Sequence, residues 1–337
     1  MKTAAVLFFG GERVSLTVAR AGVNGTHIVK NRSTRPYSGI VGGEFVNNEE
    51  LTAVLHALVE EVFGRKKRRS PIELTIGVPP CFLGVDVSTA EKTFDKPKKI
   101  TQRDILDLLR GGRAVYYKID GGNALIDAVG FTATRTLQAQ VSKLTISDRF
   151  ARQVATALVG IRGVVPRKLI PSVQAEAVYL IDSHVRDKTC VLISSGMMTT
   201  SVAVVAGDEL CALETFDMGS AHAINDVSIV MSVAYGKARE MVNMPNNIRI
   251  AAILEARFED MAEQVADILK CMDKNLMKKP FYICGGHVDA MMGARKLFER
   301  ALNVKITPLV CPFTESNVPD EVSRDAVITM ALKVGAR

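Results

Sequence analysis

Apolar positions along this chain follow two rhythms. Residues 4–9 form a short apolar run of the kind a buried strand makes, and Val14, Leu16 and Val18 then alternate with polar residues, as in a strand with one buried face. Gly10-Gly11 between them suits a tight hairpin turn, and residues 27–30 continue the sheet as a third strand. The period then changes. Leu51, Val54, Leu55, Leu58, Val59, Val62 and Phe63 keep helical spacing without a miss, and Glu49 and Glu50 stand at the positive end, where carboxylates are favoured. Ile72–Val78 reads as the next strand, ended by Pro79-Pro80.

Residues 81–146 have a different texture. Thr101-Gln102-Arg103-Asp104 is a capping-box start with Asp in place of Glu, Ile105, Leu108 and Leu109 supply one helix face, and Gly111-Gly112 stops it. Residues 116–119 and 123–127 read as strands around Asp120-Gly121-Gly122. Leu137, Ala139, Val141 and Lys143 alternate with Thr136, Gln138, Gln140 and Ser142. The segment therefore predicts a small unit of sheet plus helix. Helical spacing returns over about 148–161 and 172–181, the latter carried by Val173, Ala177, Val178 and Leu180.

A second strand-turn-strand begins at Cys190, and it repeats the first. Leu7-Phe8-Phe9-Gly10 is followed by apolar Val14, Leu16 and Val18. Ile193-Ser194-Ser195-Gly196 is followed by Thr200, Val202 and Val204, at the same offsets from the glycine. Two such hairpins half a chain apart imply a duplicated fold, with one turn from each half facing a shared cleft.

Composition narrows the classes. With 337 residues the chain has room for about two domains, and 47% hydrophobic against 23% charged residues can build real cores. Trp is absent and aromatics are 6%, which argues against a base-stacking surface for single-stranded nucleic acid. The six cysteines include no CxxC pair, and Cys190, Cys211 and Cys284 sit in apolar runs; buried thiols in a reducing, cytoplasmic setting are expected. The N-terminal apolar run is too short for a signal peptide and breaks at Gly10-Gly11-Glu12-Arg13; no run reaches the length of a membrane span. Much of the net charge of +7 is local, in Arg65-Lys66-Lys67-Arg68-Arg69. This run is expected to be a solvated loop, or a weak contact to an anionic membrane or an acidic partner. No recognition helix or zinc spacing accompanies it, and no nucleic-acid partner is expected.

The ordered segments resemble the actin-like ATPase superfamily, and in particular the bacterial cell-division protein FtsA. The resemblance runs through the hairpin at 7–18, Lys99-Ile100-Thr101-Gln102-Arg103-Asp104-Ile105, Tyr117-Lys118-Ile119-Asp120-Gly121-Gly122, Val129-Gly130-Phe131, the hairpin at 193–204, Met218-Gly219-Ser220 with Asn225-Asp226, and Ile283-Cys284-Gly285-Gly286. It implies an α/β, two-lobed actin-like (ribonuclease-H-like, duplicated) fold with an FtsA-type inserted subdomain. The expected boundaries are 1–80 for the first part of the first lobe, 81–146 for the insertion, 147–188 for the return to the first lobe and 189–337 for the second lobe. It further implies a cleft for ATP or ADP with Mg²⁺, formed here by Gly10, Gly11, Gly196, Thr199, Thr200, Gly219, Gly285 and Gly286. The partners it implies are an FtsZ-like division protein and other copies of the chain.

The departures fall on the chemistry. The family places an Asp at the end of the first strand of each hairpin, to hold Mg²⁺ through water; here these positions are Phe8 and Ser194. Met197 and Met198 follow Gly196, Ser220 replaces a glycine, and the helix resembling the family's nucleotide-side helix reads Ala238-Arg239-Glu240-Met241-Val242 without its lysine, the nearest being Lys237. His222, and His287 with Asp289, are read as structural. No Walker sequence, GxSxG or HExxH is present. No separate amphipathic anchor follows the helix that contains Asp325-Ala326-Val327-Ile328. The expectation is a non-catalytic FtsA-like scaffold or adaptor with no catalytic or metal-binding residues. The alternatives are a nucleotide-binding switch with weak or no ATPase, and an adaptor of pilus assembly like PilM.

Overall fold

The computed structural model describes residues 2–23, 26–64, 71–124, 133–161, 163–243, 247–284, 291, 293–311 and 319–333. The basic run at 65–69, Val129–Phe131, Gly285, Gly286, His287 and Asp289 lie outside the described residues.

The first hairpin is β1 (Thr3–Phe9) and β2 (Arg13–Ala21), followed by β3 (His27–Pro36), a two-residue pair β4 (Ile40–Val41) and β5 (Glu44–Phe45), helix α1 (Asn48–Phe63) and β6 (Ile72–Val78). Asn47 caps α1 by accepting from the Glu50 amide at 3.0 Å, and Gly64 closes it at a positive φ of 73°, its N–H donating to the Glu60 carbonyl. The helical stripe read in the sequence is buried at Leu51, Leu55, Leu58, Val59 and Val62, each contributing roughly 1.5–3 kcal/mol of burial before chain entropy is charged against it.

The chain then leaves the first sheet. β7 (Leu83–Lys99), α2 (Gln102–Leu109), β8 (Arg113–Ile119), β9 (Gly122–Ala124) and β10 (Ala133–Ile146) form a separate sheet in the order β7-β10-β8-β9. Its core is small: Ile100, Leu108, Tyr117, Leu137, Ala139 and Val141. The capping box is present, with Thr101 and Asp104 bonding each other's backbone, and Lys92 and Lys98 also reach the Asp104 carboxylate. The long strand β7 is an element that the sequence pattern did not announce. Its apolar alternation is short, Leu83, Val85 and Val87 against Gly84, Asp86 and Ser88; none of its residues is fully buried, and Pro97 lies within it.

After α3 (Asp148–Ala157) and β11 (Val164–Pro171) come α4 (Ser172–Leu180), α5 (Ser183–Arg186), β12 (Cys190–Ser195), β13 (Thr200–Ala206), β14 (Glu209–Phe216), α6 (Ser220–Met231), α7 (Tyr235–Met241), α8 (Ile248–Met272), β15 (Phe281–Cys284), α9 (Ala294–Leu302), β16 (Ile306–Pro308) and α10 (Pro319–Lys333). The two five-stranded sheets have one plan. The first runs β11-β6-β1-β2-β3 and the second β16-β15-β12-β13-β14, each with three antiparallel strands and two parallel ones.

The lobes exchange helices. α4 follows the last strand of the first sheet, yet its Val173 and Ala177, with Ile181 just past its end, pack with Leu192, Ala203 and Val205 of the second. α10 follows the last strand of the second sheet, and its Ala326, Val327 and Met330 pack with Val6, Phe8 and Ile170 of the first. The two helices pack against each other beneath the cleft. The four-stranded sheet adds a third link, resting on β14: Ser142 donates to the Leu210 carbonyl, and Arg113 pairs with Glu209 at 3.1 Å. It thereby covers an edge strand of the second sheet that would otherwise stand open.

Candidate functional site

The two hairpins meet across the cleft with identical pairing. Phe8 lies opposite Ser15 and beside Gly77; Ser194 lies opposite Ser201 and beside Cys284. The register makes Phe8 and Ser194 equivalent positions, at the strand ends that point toward the turns.

Their surroundings differ. The Phe8 ring is buried over Gly77, where an added Cβ would come within 3.0 Å of the ring and 3.4 Å of Val327. Ser194 faces Glu176, which α4 carries across from the first lobe. Glu176 is 1% exposed. Burial pushes its carboxyl above the ordinary carboxylate range, opposed by hydrogen bonding to Ser323, Ser194 and Cys284, and among the described residues its Oε2 has no hydrogen-bond partner. Ser195 Oγ, also fully buried, has none among them.

In each turn the glycine amide is engaged within the turn itself. Gly10 N–H donates to the Arg13 carbonyl at 2.8 Å, and Gly196 N–H donates to the Thr199 carbonyl at 2.8 Å. The second turn also caps α6: Ser220 N–H donates to the Gly196 carbonyl at 3.2 Å and Ala221 N–H to the Met197 carbonyl at 2.9 Å. This approach needs glycine at 219, where a Cβ would lie 2.4 Å from the Met197 oxygen and 2.6 Å from that of Gly196. Thr200 is fully buried and donates to the Met218 carbonyl at 2.8 Å; His222 Nδ1 accepts from Gly219 N–H at 3.2 Å. Gly10, Gly11, Gly196 and Thr199 thus line the cleft, whereas Thr200 and Gly219 support the second turn from behind.

Two cavities open here. A small one of about 90 Å³ lies between the turns, above Glu176, with the hydroxyls of Ser172, Ser194, Ser201 and Ser323 around it. A larger one of about 450 Å³ lies between the β2–β3 side of the first lobe and α6 and α7 of the second. At its rim Arg239 of α7 grips Glu12 of the first turn with both terminal nitrogens, Nη1 to Oε1 at 2.9 Å. Lys237, on the same helix, pairs with Glu240 at 2.8 Å on the surface.

A nucleotide with Mg²⁺ would require carboxylates beside its phosphates. The described carboxylates that line the two cavities are Glu176, Glu12 and Glu321. Glu176 is buried in a setting that favours its neutral form, Glu12 is held by Arg239, and Glu321 is held by Arg32 and Arg324. These residues do not fit a metal-bridged triphosphate. Glu176 escapes the sequence reading because it stands on a helix whose other positions read as core; a carboxylate within that buried run is the signal. Arg239 falls in a stretch singled out for its missing lysine, but its partner is 227 residues away.

No family model matches the chain, and no curated protein matches it. Solved structures do. A PilM–PilN type IV pilus biogenesis complex shares 16% identity over 98% of both chains with a TM-score of 0.65. Ethanolamine utilization protein EutJ from Carboxydothermus hydrogenoformans shares 14% identity over 98% of this chain and 90% of its own, with a TM-score of 0.61. MreB5 of Spiroplasma citri bound to ADP shares 12% identity over 100% and 97%, with a TM-score of 0.58. The fold is the two-lobed, actin-like ATPase fold.

Proposed function

We propose that this chain is an actin-like adaptor that works by binding protein partners, without metal-dependent ATP turnover. The observation that carries this reading is the equivalence of Phe8 and Ser194: the register puts an aromatic ring and a hydroxyl at the two strand ends where the resembled family carries its carboxylates. The second turn supports it: its Gly196 amide is taken within the turn, and its Gly196 and Met197 carbonyls are taken by α6.

Among adaptor readings, the likeness to a PilM–PilN complex favours a PilM-like role in pilus assembly over the FtsA-like division scaffold. The four-stranded unit inserted between β6 and α3 would offer the partner-binding face in either case, as an FtsA-type insertion would. Among the described residues, no helix is long and apolar enough to cross a membrane. Membrane contact would pass through a partner or the basic residues 65–69.

Two measurements test this. Phosphate release from ATP with Mg²⁺ should stay at background; turnover abolished by Glu176→Gln would refute the reading. Pull-down with a PilN-type protein should succeed where the tail of an FtsZ-type protein fails; the reverse result would restore the division reading.

A further inference from the structure

The inserted unit holds a groove of its own. Its volume is about 510 Å³, and the residues that line it all belong to this unit, among them Thr89, Ala90 and Glu91 of β7, Leu108 of α2, Arg110 at the end of α2 and Val141 of β10. The cleft between the lobes contributes nothing to it. β7 is the outer strand of its sheet. Its two halves are covered on opposite faces: Leu83 and Val85 pack on the core of the second lobe, whereas Ala90 and Phe94 pack under α2 with Leu137, Ala139 and Val141.

The outer edge of β7 keeps free backbone groups. Asp120 N–H donates to the Thr136 carbonyl at 3.0 Å, so Thr136, Gln138 and Gln140 of β10 turn their backbone toward β8. Leu137, Ala139 and Val141 turn theirs toward β7 and pair with Lys92, Ala90 and Ser88. Thr89 and Glu91 therefore present N–H and C=O outward, and among the described residues nothing bonds them there. Such an edge is a template for another extended chain, and a groove beside it receives that chain's alternate side chains.

Charge decides which segment fits. On the α2 side, Lys92 is taken by Asp104 and Asp107, while the Arg110 side chain has no partner among the described residues. Arg110 also holds a φ of 45°, a left-handed conformation that glycine takes freely and a larger residue takes at a cost, so local preference does not account for an arginine there. On the other face of β7, Glu91 accepts from the Gln138 amide and meets no cation among the described residues.

We infer, on the reading of the chain as an adaptor, that β7 and α2 take up an extended segment of a partner protein as an added strand. The segment carries a carboxylate on the side that faces Arg110 and a basic residue opposite Glu91.

Fluorescence anisotropy of the full chain with the labelled peptide Glu-Thr-Val-Lys-Val-Thr-Glu tests it. The peptide reads alike in both directions, with glutamate and valine on one face and lysine on the other. It is expected to bind, and the charge-exchanged peptide Lys-Thr-Val-Glu-Val-Thr-Lys should bind about tenfold more weakly or worse. Thr89→Pro removes an outward N–H that bonds nothing in the free protein, and should weaken binding about tenfold or more. Arg110→Gly should weaken it likewise while the Tm stays level or rises, because glycine suits the positive φ; this variant decides the matter if Thr89→Pro does not fold. No binding of the first peptide, equal binding of both, or binding that a folded variant leaves unchanged would overturn the groove. Success of the whole-protein pull-down beside any of these results would leave the adaptor reading standing. Magnesium-dependent ATP turnover with the peptide still bound would remove the adaptor reading and leave the groove.

Discussion

The two hairpins share every pairing partner and almost none of the chemistry. In the first, Phe8 closes an apolar layer between Gly77 and the returning helix α10. In the second, the equivalent Ser194 faces a buried carboxyl and a cavity ringed by hydroxyls. A parallel likeness holds between the exchanged helices: Ala175-Glu176-Ala177-Val178 on α4 and Arg324-Asp325-Ala326-Val327 on α10 each place a buried carboxyl near the midline. The lesson is that sheet register, fixed by backbone pairing and by which face is buried, is maintained independently of the side chains at the cleft. The buried carboxyls stand on these two helices here rather than at the strand ends.

That contrast can be broken. Phe8→Asp puts an unpaired charge in the apolar layer and should cost about 4 kcal/mol in urea unfolding, whereas Ser194→Ala should cost about 1 kcal/mol; equal costs would mean that the two positions are not filled differently. Gly219→Ala forces a methyl group against two backbone oxygens of the second turn and should cost about 3 kcal/mol, read as a drop in Tm together with loss of amide protection at the start of α6.

Glu176→Gln separates the halves by pH. The folded chain keeps a proton on Glu176 that the unfolded chain releases, so stability falls as pH rises from the ordinary carboxylate range through the raised folded value. The variant should melt above the parent at pH 7 and together with it below about pH 4, under the ordinary glutamate value. Parallel melting of the two at both pH values would show that burial does not raise this group. The smallest effect is expected from Arg239→Gln. Its side chain is about half exposed, and loss of the pair with Glu12 should cost under about 1 kcal/mol in the ligand-free protein.

Much of this fold was written in local signals. The apolar run of β1, the alternation in β2, the unbroken stripe of α1 and the Thr101–Asp104 box each specify their element from neighbouring residues, and the matching offsets of the two hairpins anticipated the matching sheets. Elements without a fully buried face left a shorter signal that the expectations passed over. β7 is the clearest case, and β11 carries Pro166 and a register shift within a run that is mostly part-exposed. α8 is different: Ile250, Leu254, Phe258, Met261, Val265 and Leu269 keep a helical period that the expectations passed over. The candidate site was half legible. The turns came from glycine spacing and the missing carboxylates from the resemblance. The Glu12–Arg239 pair and the approach of Glu176 to Ser194 join residues far apart in sequence, and only the packed fold brings them together.

The exchanged helices also bear on how the chain can be divided. The first sheet is complete at Pro171, yet the face holding Val6, Phe8 and Ile170 gains its cover only when residues 319–333 arrive, well over a hundred residues later. A fragment ending near residue 188 would therefore present that face bare and bring α4 without the sheet it packs on. Shortening the protein by its last helix should damage the N-terminal half more than the half from which the helix is cut, and neither lobe is a module that can be moved alone.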